Sequence, residues 1–298
     1  MIALQLLLVV AFSPLLLGVI NRTKAIVAGR RGQPLLQAYY DILRLLRRGT
    51  VLSSTTTIVF LIGPVVAIVV GLAASLMLPL TGRTAPIAFT GDVLVFVYVF
   101  ALSRFFTTSA ALDTGSAFEG MGAAREVTFA CLAEPALLLG MVALTRLSHS
   151  LSLTRLISVG GAEWRTASAA LVLIVASWFI VLLAENSRVP FDDPNTHLEL
   201  TMIHEVMVLD HSGPAFALVL YGAAVKLFVF TALIATMITP RVGNAAADAA
   251  LILAGVLVIG IIIGLVESAM ARLRLVRVPQ LLITATLISA FAVVLVLK

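Results

Sequence analysis

Charge and sulfur are what this sequence has least of. Only 12% of its 298 residues are Asp, Glu, Lys or Arg, against about a quarter in an ordinary soluble domain. With 61% hydrophobic residues, the 20 Lys+Arg and 15 Asp+Glu are too few to cover the surface of a water-soluble body of this length. A soluble globular protein is excluded. The single cysteine, Cys131, excludes a disulfide framework, a thiolate zinc site and any iron–sulfur cluster ligated by this chain alone, because each needs several sulfurs. The histidines (His149, His197, His204 and His211) leave little material for a haem or metal site. A net charge of +5 would suit nucleic acid in a soluble chain. Here the basic residues sit in short segments between apolar runs, which is the pattern of membrane topology and not of nucleic-acid binding.

What the chain has in place of charge is long apolar runs. Crossing a hydrocarbon core of roughly 30 Å takes about 20 mostly apolar residues. Eight stretches qualify, near 2–20, 57–80, 92–112, 127–147, 167–184, 215–239, 249–266 and 280–297. Their hydrophobicity is continuous and does not alternate, so each backbone N–H finds its partner within its own segment: helices, not a barrel. The expectation is an all-α polytopic membrane protein of about eight transmembrane helices, with residues 1–298 forming a single membrane domain. The first run lacks a basic leader and a small-x-small site before Arg22, and reads as a retained helix.

Alternate loops differ in Lys and Arg. Segments 21–56, 113–126, 185–214 and 267–279 carry Arg22, Lys24, Arg30, Arg31, Arg44, Arg47, Arg48, Arg125, Arg188, Arg272, Arg274 and Arg277. The positive-inside rule places these segments in the cytoplasm and both termini outside the cell membrane. Within the first of them, Leu35, Leu36, Tyr39, Ile42, Leu43 and Leu46 recur at helical spacing opposite Arg44, Arg47 and Arg48. That is a cytoplasmic amphipathic helix for the membrane interface or for a partner protein.

The third of these loops, 185–214, concentrates the chemistry. It holds Glu185, Asp192, Asp193, Glu199, Glu205 and Asp210, with His197, His204 and His211, while Arg188 is its sole Lys or Arg. The stretch 196–209 is too apolar for a free loop and reads as a packed helix, on which histidines seven apart share one face. Partial burial would shift the pKa values of such groups and suit them to trade protons near neutrality. A metal site is disfavoured: His204-Glu205 is half of a metalloprotease motif, but position 208 is valine. In the apolar runs themselves Arg104, Glu126, Glu134 and Lys226 stand out. Ionisable groups there face a bundle interior or a water path. Arg104 and Glu126 lie near loop ends, where snorkelling to the interface is the alternative; Glu134 and Lys226 are deeper and read as a proton path. Arg272, Arg274 and Arg277 read as grips for lipid headgroups or a partner.

The run Glu185-Asn-Ser-Arg188-Val-Pro190-Phe191-Asp192 resembles the Glu-x-x-Arg-x-Pro-Phe-Asp signature of subunit 1 of respiratory complex I, the membrane subunit that anchors its quinone-reducing arm. Its continuation through His197, Glu199, His204 and Glu205 is more similar to the homologous subunit of membrane-bound [NiFe] hydrogenases of the formate hydrogenlyase and hydrogenase-4 type. Gly29-Arg30-Arg31-Gly32, Gly122-Ala-Ala-Arg125-Glu126 through Glu134, and Glu267-Ser-Ala-Met-Ala-Arg272-Leu-Arg274 resemble further parts of that family.

The resemblance implies a subunit that is not itself catalytic. It would dock a soluble hydrogenase arm and couple its redox chemistry to proton movement, with Glu134, Glu185, Asp192, Glu199, Glu205 and Lys226 as proton-coupling groups. Arg125, Arg188, Pro190, Phe191, His197, His204 and His211 would shape and dock the loop. It implies as partners a [NiFe] large subunit, an iron–sulfur small subunit and antiporter-like membrane subunits. The [NiFe] centre and iron–sulfur clusters would sit in those partners, with no cofactor or metal on this chain. Asn195-Thr196-His197 stands where complex I subunits carry further acids, and Asn21-Arg22 where they have an acid beside the basic residues. Both departures weaken a quinone site. A quinone-binding subunit of an NADH-quinone oxidoreductase-like complex and a stand-alone secondary ion transporter are the alternatives.

Overall fold

The computed structural model describes residues 2–81, 84–158, 161–192 and 202–297. Among the described residues the α-helices are α1 (Ile2–Val27), α2 (Gln37–Leu46), α3 (Ile58–Leu76), α4 (Asp92–Asp113), α5 (Ala117–Ser148), α6 (Leu153–Ile157), α7 (Gly161–Thr166), α8 (Ser168–Glu185), α9 (Gly213–Ile238), α10 (Ala245–Ala269) and α11 (Val278–Leu297). Among the described residues eight helices are long and apolar enough to cross a membrane, one on each of the expected runs, and the chain is an all-α multi-pass membrane protein. The amphipathic segment is α2. Helix α5 starts at Ala117 and not near 127, because the weakly apolar segment before Val127 packs on the 185–214 loop and is helical there.

Local chemistry sets the helix ends. The Thr57 hydroxyl caps α3 by accepting from the Val59 N–H at 3.3 Å. Asp113 at the end of α4 holds Thr57 through its N–H (2.6 Å) and hydroxyl (2.8 Å), tying the two helices together. The far end of α3 is capped by Gln5 of α1, whose fully buried amide donates to the Ser75 and Leu78 carbonyls at 2.6 and 2.8 Å. Asn244 caps α10 by accepting from the Ala246 N–H at 3.1 Å.

The long helices pack as two groups. Helices α1, α3, α4, α9 and α10 form one, with α9 the most enclosed span; α5, α8 and α11 form the other. The second group is fastened by small polar residues. Ser289 donates to the Ala136 carbonyl and contacts the Ser177 hydroxyl, and Ser177 donates to the Ala285 carbonyl, all at 2.8 Å. The groups meet along a seam where α4 packs on α5 and α8 on α9. Large apolar side chains such as Leu94, Phe105, Ile262 and Phe291 face outward, as lipid as solvent requires.

Two prolines inside spans create attachment points. Pro14 has no N–H, so the Val10 carbonyl loses its helical donor, and the Tyr221 hydroxyl of α9 donates to it at 3.0 Å. The Tyr39 hydroxyl of α2 donates to the neighbouring Ala11 carbonyl. Pro64 likewise frees the Phe60 carbonyl, which lies 3.3 Å from His211 Nε2. Helix α2 is also held where the Leu35 backbone crosses α1 at Gly18: a Cβ there would lie 2.0 Å from the Leu35 oxygen. Gly18→Ala is therefore expected to displace α2 and destabilise the protein by about 1–3 kcal/mol, the range for overpacking a filled site. A lowered thermal midpoint in detergent is the readout, and an unchanged midpoint would show that this crossing is loose.

Candidate functional site

Helix α8 has 18 residues and α9 has 26, about 27 and 39 Å at 1.5 Å per residue. Glu185, the last residue of α8, consequently meets Lys226 in the middle of α9. The chain that follows α8 fills the space left by the short helix. Val189, Phe191, Met202, Ile203, Val206 and Met207 are all buried. Non-helical backbone at such a position is tolerated where protein encloses it or where it lines a cavity. Gly122 of α5 makes room for it, since a Cβ there would sit 2.3 Å from the Val206 side chain and 3.0 Å from the Ile203 oxygen.

Four ionisable side chains, one from each helix at the seam, form a row. Glu134 of α5 accepts from Arg104 of α4 at 2.5 Å; Arg104 reaches Glu185 of α8 at 2.8 Å; Glu185 reaches Lys226 of α9 at 2.8 Å. The Arg104 and Glu185 side chains are only 11% and 6% exposed. Arg104 therefore does not snorkel to the interface; it bridges two carboxylates. The row contains two cations and two anions in alternation, so each charge has an opposite neighbour and the sum is zero.

The row opens onto a cavity of about 550 Å³, also lined by Glu126, Asp192, His204, Glu205, Asn186 and His211. Asn186 Oδ1 and His211 Nδ1 are buried acceptors with no protein hydrogen-bond partner among the described residues. Unpartnered acceptors facing a cavity of this size are positions for ordered water. Since a carbonyl only accepts, the His211 contact to Phe60 places the proton on Nε2, and the ring stacks on Phe60 at 3.9 Å. Burial pushes the His211 pKa below its ordinary value, opposed by its bond to Phe60 and by Asp210. Burial likewise lowers that of His204, with Lys226 acting the same way and Glu126 and Asp192 opposing.

A clasp holds the loop beside this row. Asp192 is 2% exposed, pairs with Arg272 at 2.9 Å and accepts the Ile203 and His204 N–H groups at 2.9 and 3.3 Å. The Leu273 N–H donates to the Pro190 carbonyl at 2.9 Å. Arg188 lies 3.4 Å from Glu267, whose other oxygen is 2.9 Å from Lys24 of α1. Arg125 donates to the Met202 carbonyl at 2.9 Å, and Glu119 accepts the Asp210 N–H at 3.0 Å. Phe191 is 2% exposed within the main core.

The expected site residues thus divide. Glu134, Glu185 and Lys226 come together with Arg104; Glu205, His204 and His211 line the adjoining cavity; Arg125, Arg188, Pro190, Phe191 and Asp192 build the loop. His197 and Glu199 lie outside the described residues. Two expectations need correcting. His204 and His211 do not share one helical face, because the described part of the segment carries only a short 3₁₀ turn, Glu205–Val208. Arg272, expected to grip headgroups or a partner, is paired with Asp192 inside the protein. Glu267, Lys24 and Glu119 were missed, since each sits at a helix end in sequence, where a charge normally faces water. Among the described residues no group of three or more His, Cys, Asp or Glu is placed to hold a metal ion.

A family model described as NADH dehydrogenase matches residues 1–298. The chain is similar to formate hydrogenlyase subunit 4 of Escherichia coli K12, 32% identical over 285 residues, covering 93% of this chain and 92% of that one. It is also similar to hydrogenase-4 component C of the same organism, 30% identical over 236 residues, covering 79% and 74% of the two chains. Among solved structures, a chain of the membrane-bound sulfane sulfur reductase, an archaeal respiratory membrane complex, shares the fold with a TM-score of 0.84 at 19% identity, covering 99% of each chain.

Truncating Arg104 would leave Glu134 and Glu185 without their shared cation. Arg104→Ala is expected to destabilise the protein by roughly 3–5 kcal/mol, the cost of breaking a buried ion pair from one side. Thermal unfolding in detergent measures it, and a loss under about 1 kcal/mol, the worth of an exposed pair, would show the row to be solvent-screened.

Proposed function

The chain belongs to the NADH dehydrogenase family that includes subunit 1 of complex I, and from that premise we propose that it is the membrane-anchor subunit of an energy-converting [NiFe] hydrogenase complex of the formate hydrogenlyase type. It docks the soluble hydrogenase arm on its basic face, where the Pro-Phe-Asp loop lies, and couples the redox chemistry of that arm to proton movement. The [NiFe] centre and the iron–sulfur clusters belong to the large and small subunits of the arm, and antiporter-like subunits adjoin this chain in the cell membrane. Its similarity along nearly its whole length to formate hydrogenlyase subunit 4 supports this reading of the complex.

The observation that carries the coupling role is the row Glu134, Arg104, Glu185 and Lys226 at the seam. A unit charge change about 12 Å from a carboxylate is worth on the order of 1.4 kcal/mol at an effective dielectric of about 20, or about one pKa unit. A redox event in a docked arm thus acts on the row without any electron entering this chain. The cavity supplies the path by which protons reach the row from the loop side.

Gentle purification of the tagged chain from its own membrane, with identification of companion subunits and metal analysis, tests the complex. Nickel with a large and an iron–sulfur subunit is the expected result. A nickel-free arm containing flavin would instead make this the quinone-linked subunit of a complex I relative, and a lone polypeptide that moves ions would make it a transporter. Glu185→Gln tests the coupling, because it removes the acid shared by Arg104 and Lys226 at nearly constant volume. The complex should assemble while coupled turnover falls at least about tenfold, a conservative share of what a positioned acid–base group contributes. Normal turnover in the assembled variant would take Glu185 out of the proton path.

A further inference from the structure

Helix α2 is amphipathic in the reverse sense of a surface helix in water. Its polar side chains Gln37 and Asp41, joined by a hydrogen bond of 2.9 Å, line the cavity together with Ala38 and Ile42. Its outer side carries Leu36, Tyr40, Leu43 and Leu46, spaced four, three and three residues apart, which are 46%, 58%, 53% and 46% exposed. Polar groups inward and apolar groups outward suit a helix whose surroundings are apolar.

The height of α2 in the bundle says what those surroundings are. The Leu35 backbone crosses α1 at Gly18, and the apolar run of α1 ends at Ile20, with Asn21 and Arg22 exposed just beyond. The start of α2 is therefore level with the last turn of the apolar run of α1, which is the boundary between acyl chains and headgroups. At its other end Arg44, Arg47 and Arg48 are exposed, and none has an ion-pair partner among the described residues. Tyr40 adds an aromatic ring of the kind favoured at that depth.

We propose that the outer face of α2, with Arg44, Arg47 and Arg48, is a binding surface for anionic phospholipid. The acyl chains lie against Leu36, Tyr40, Leu43 and Leu46, and the phosphates lie on the three arginines, whose forked donors suit phosphate oxygens. The surface is distinct from the charged row and does not depend on which soluble arm the chain carries. It explains why a helix that turns Gln37 and Asp41 to the cavity keeps its leucines outward.

The test uses the intact assembly, exchanged into nanodiscs of phosphatidylcholine alone or mixed with phosphatidylglycerol, with retained lipid read by native mass spectrometry. Phosphatidylglycerol should be enriched over its bulk share. The triple variant R44Q/R47Q/R48Q should weaken that retention roughly a hundredfold, at about a fivefold loss per arginine near an anionic surface, and R44K/R47K/R48K should largely restore it. A photoreactive residue at position 43 in an otherwise unaltered chain should crosslink to phosphatidylglycerol above its bulk share in the mixed nanodiscs, which decides the matter even where the glutamine variant does not assemble. Absence of enrichment, enrichment that survives the glutamine variant, or a crosslink from position 43 to another protein subunit would each overturn the proposal, the last by making the face a protein interface.

Discussion

An ionisable group inside an apolar slab must find an opposite charge within reach, and the arrangement of this molecule follows from how that constraint is met. Glu134, Arg104, Glu185 and Lys226 come from four different helices and every link between them crosses the seam, so the two helix groups cannot separate without stranding charges. The row lies at the seam between the two helix groups, where packing is otherwise least continuous. The cost of burying ions is offset by alternation of sign. Each charge in the row has an opposite neighbour, so the balance of each depends on the others.

The same constraint acts on the backbone. Pro14 and Pro64 each leave a carbonyl without its helical donor within a span. Those oxygens are taken up by Tyr221 and His211, and Tyr39 bonds the carbonyl next to the first. In water a freed carbonyl would be hydrated; in lipid it becomes a place where another element must dock. The prolines thus fix where α9, α2 and the end of the 185–214 loop attach, and all three border the cavity.

Hydropathy and signature residues made much of this legible in the sequence. The eight spans and α2 follow from run length and periodicity, since in lipid the hydrogen-bonding demand leaves no alternative to helix. The depth of Glu134 and Lys226 was readable for the same reason. What could not be read is pairing across the bundle. Arg104 lies in the body of α4, nine residues from its end, and only the early end of α8 places Glu185 between it and Lys226. In the described part of the expected histidine-bearing helix the backbone makes only a 3₁₀ turn, because periodicity reports that a stretch is buried but not how its backbone is satisfied. Asp192 supplies that satisfaction by accepting the Ile203 and His204 N–H groups, a long-range bond that leaves no pattern in the chain. The pairing of Glu267 with Lys24 could not be read for a related reason: they are more than two hundred residues apart.

The loop and the row are mechanically one unit. Residues 185–192 have one end in the row, through Glu185, and the other in the clasp, through Asp192, with Arg188 tied to Glu267 between them. A stretch that short, fixed at three points and buried over Val189 to Asp192, has little slack to absorb displacement. Arg272 and Leu273, which bond Asp192 and Pro190, stand in the last basic loop, next to the exposed Arg274 and Arg277. Under the proposed function, a partner docked on that loop would act through those two bonds on the clasp, and through one short segment on the carboxylate shared by Arg104 and Lys226. Glu185 is where the loop, the row and the cavity meet, and it is that meeting, more than the burial of any one charge, that marks this residue as the centre of the site.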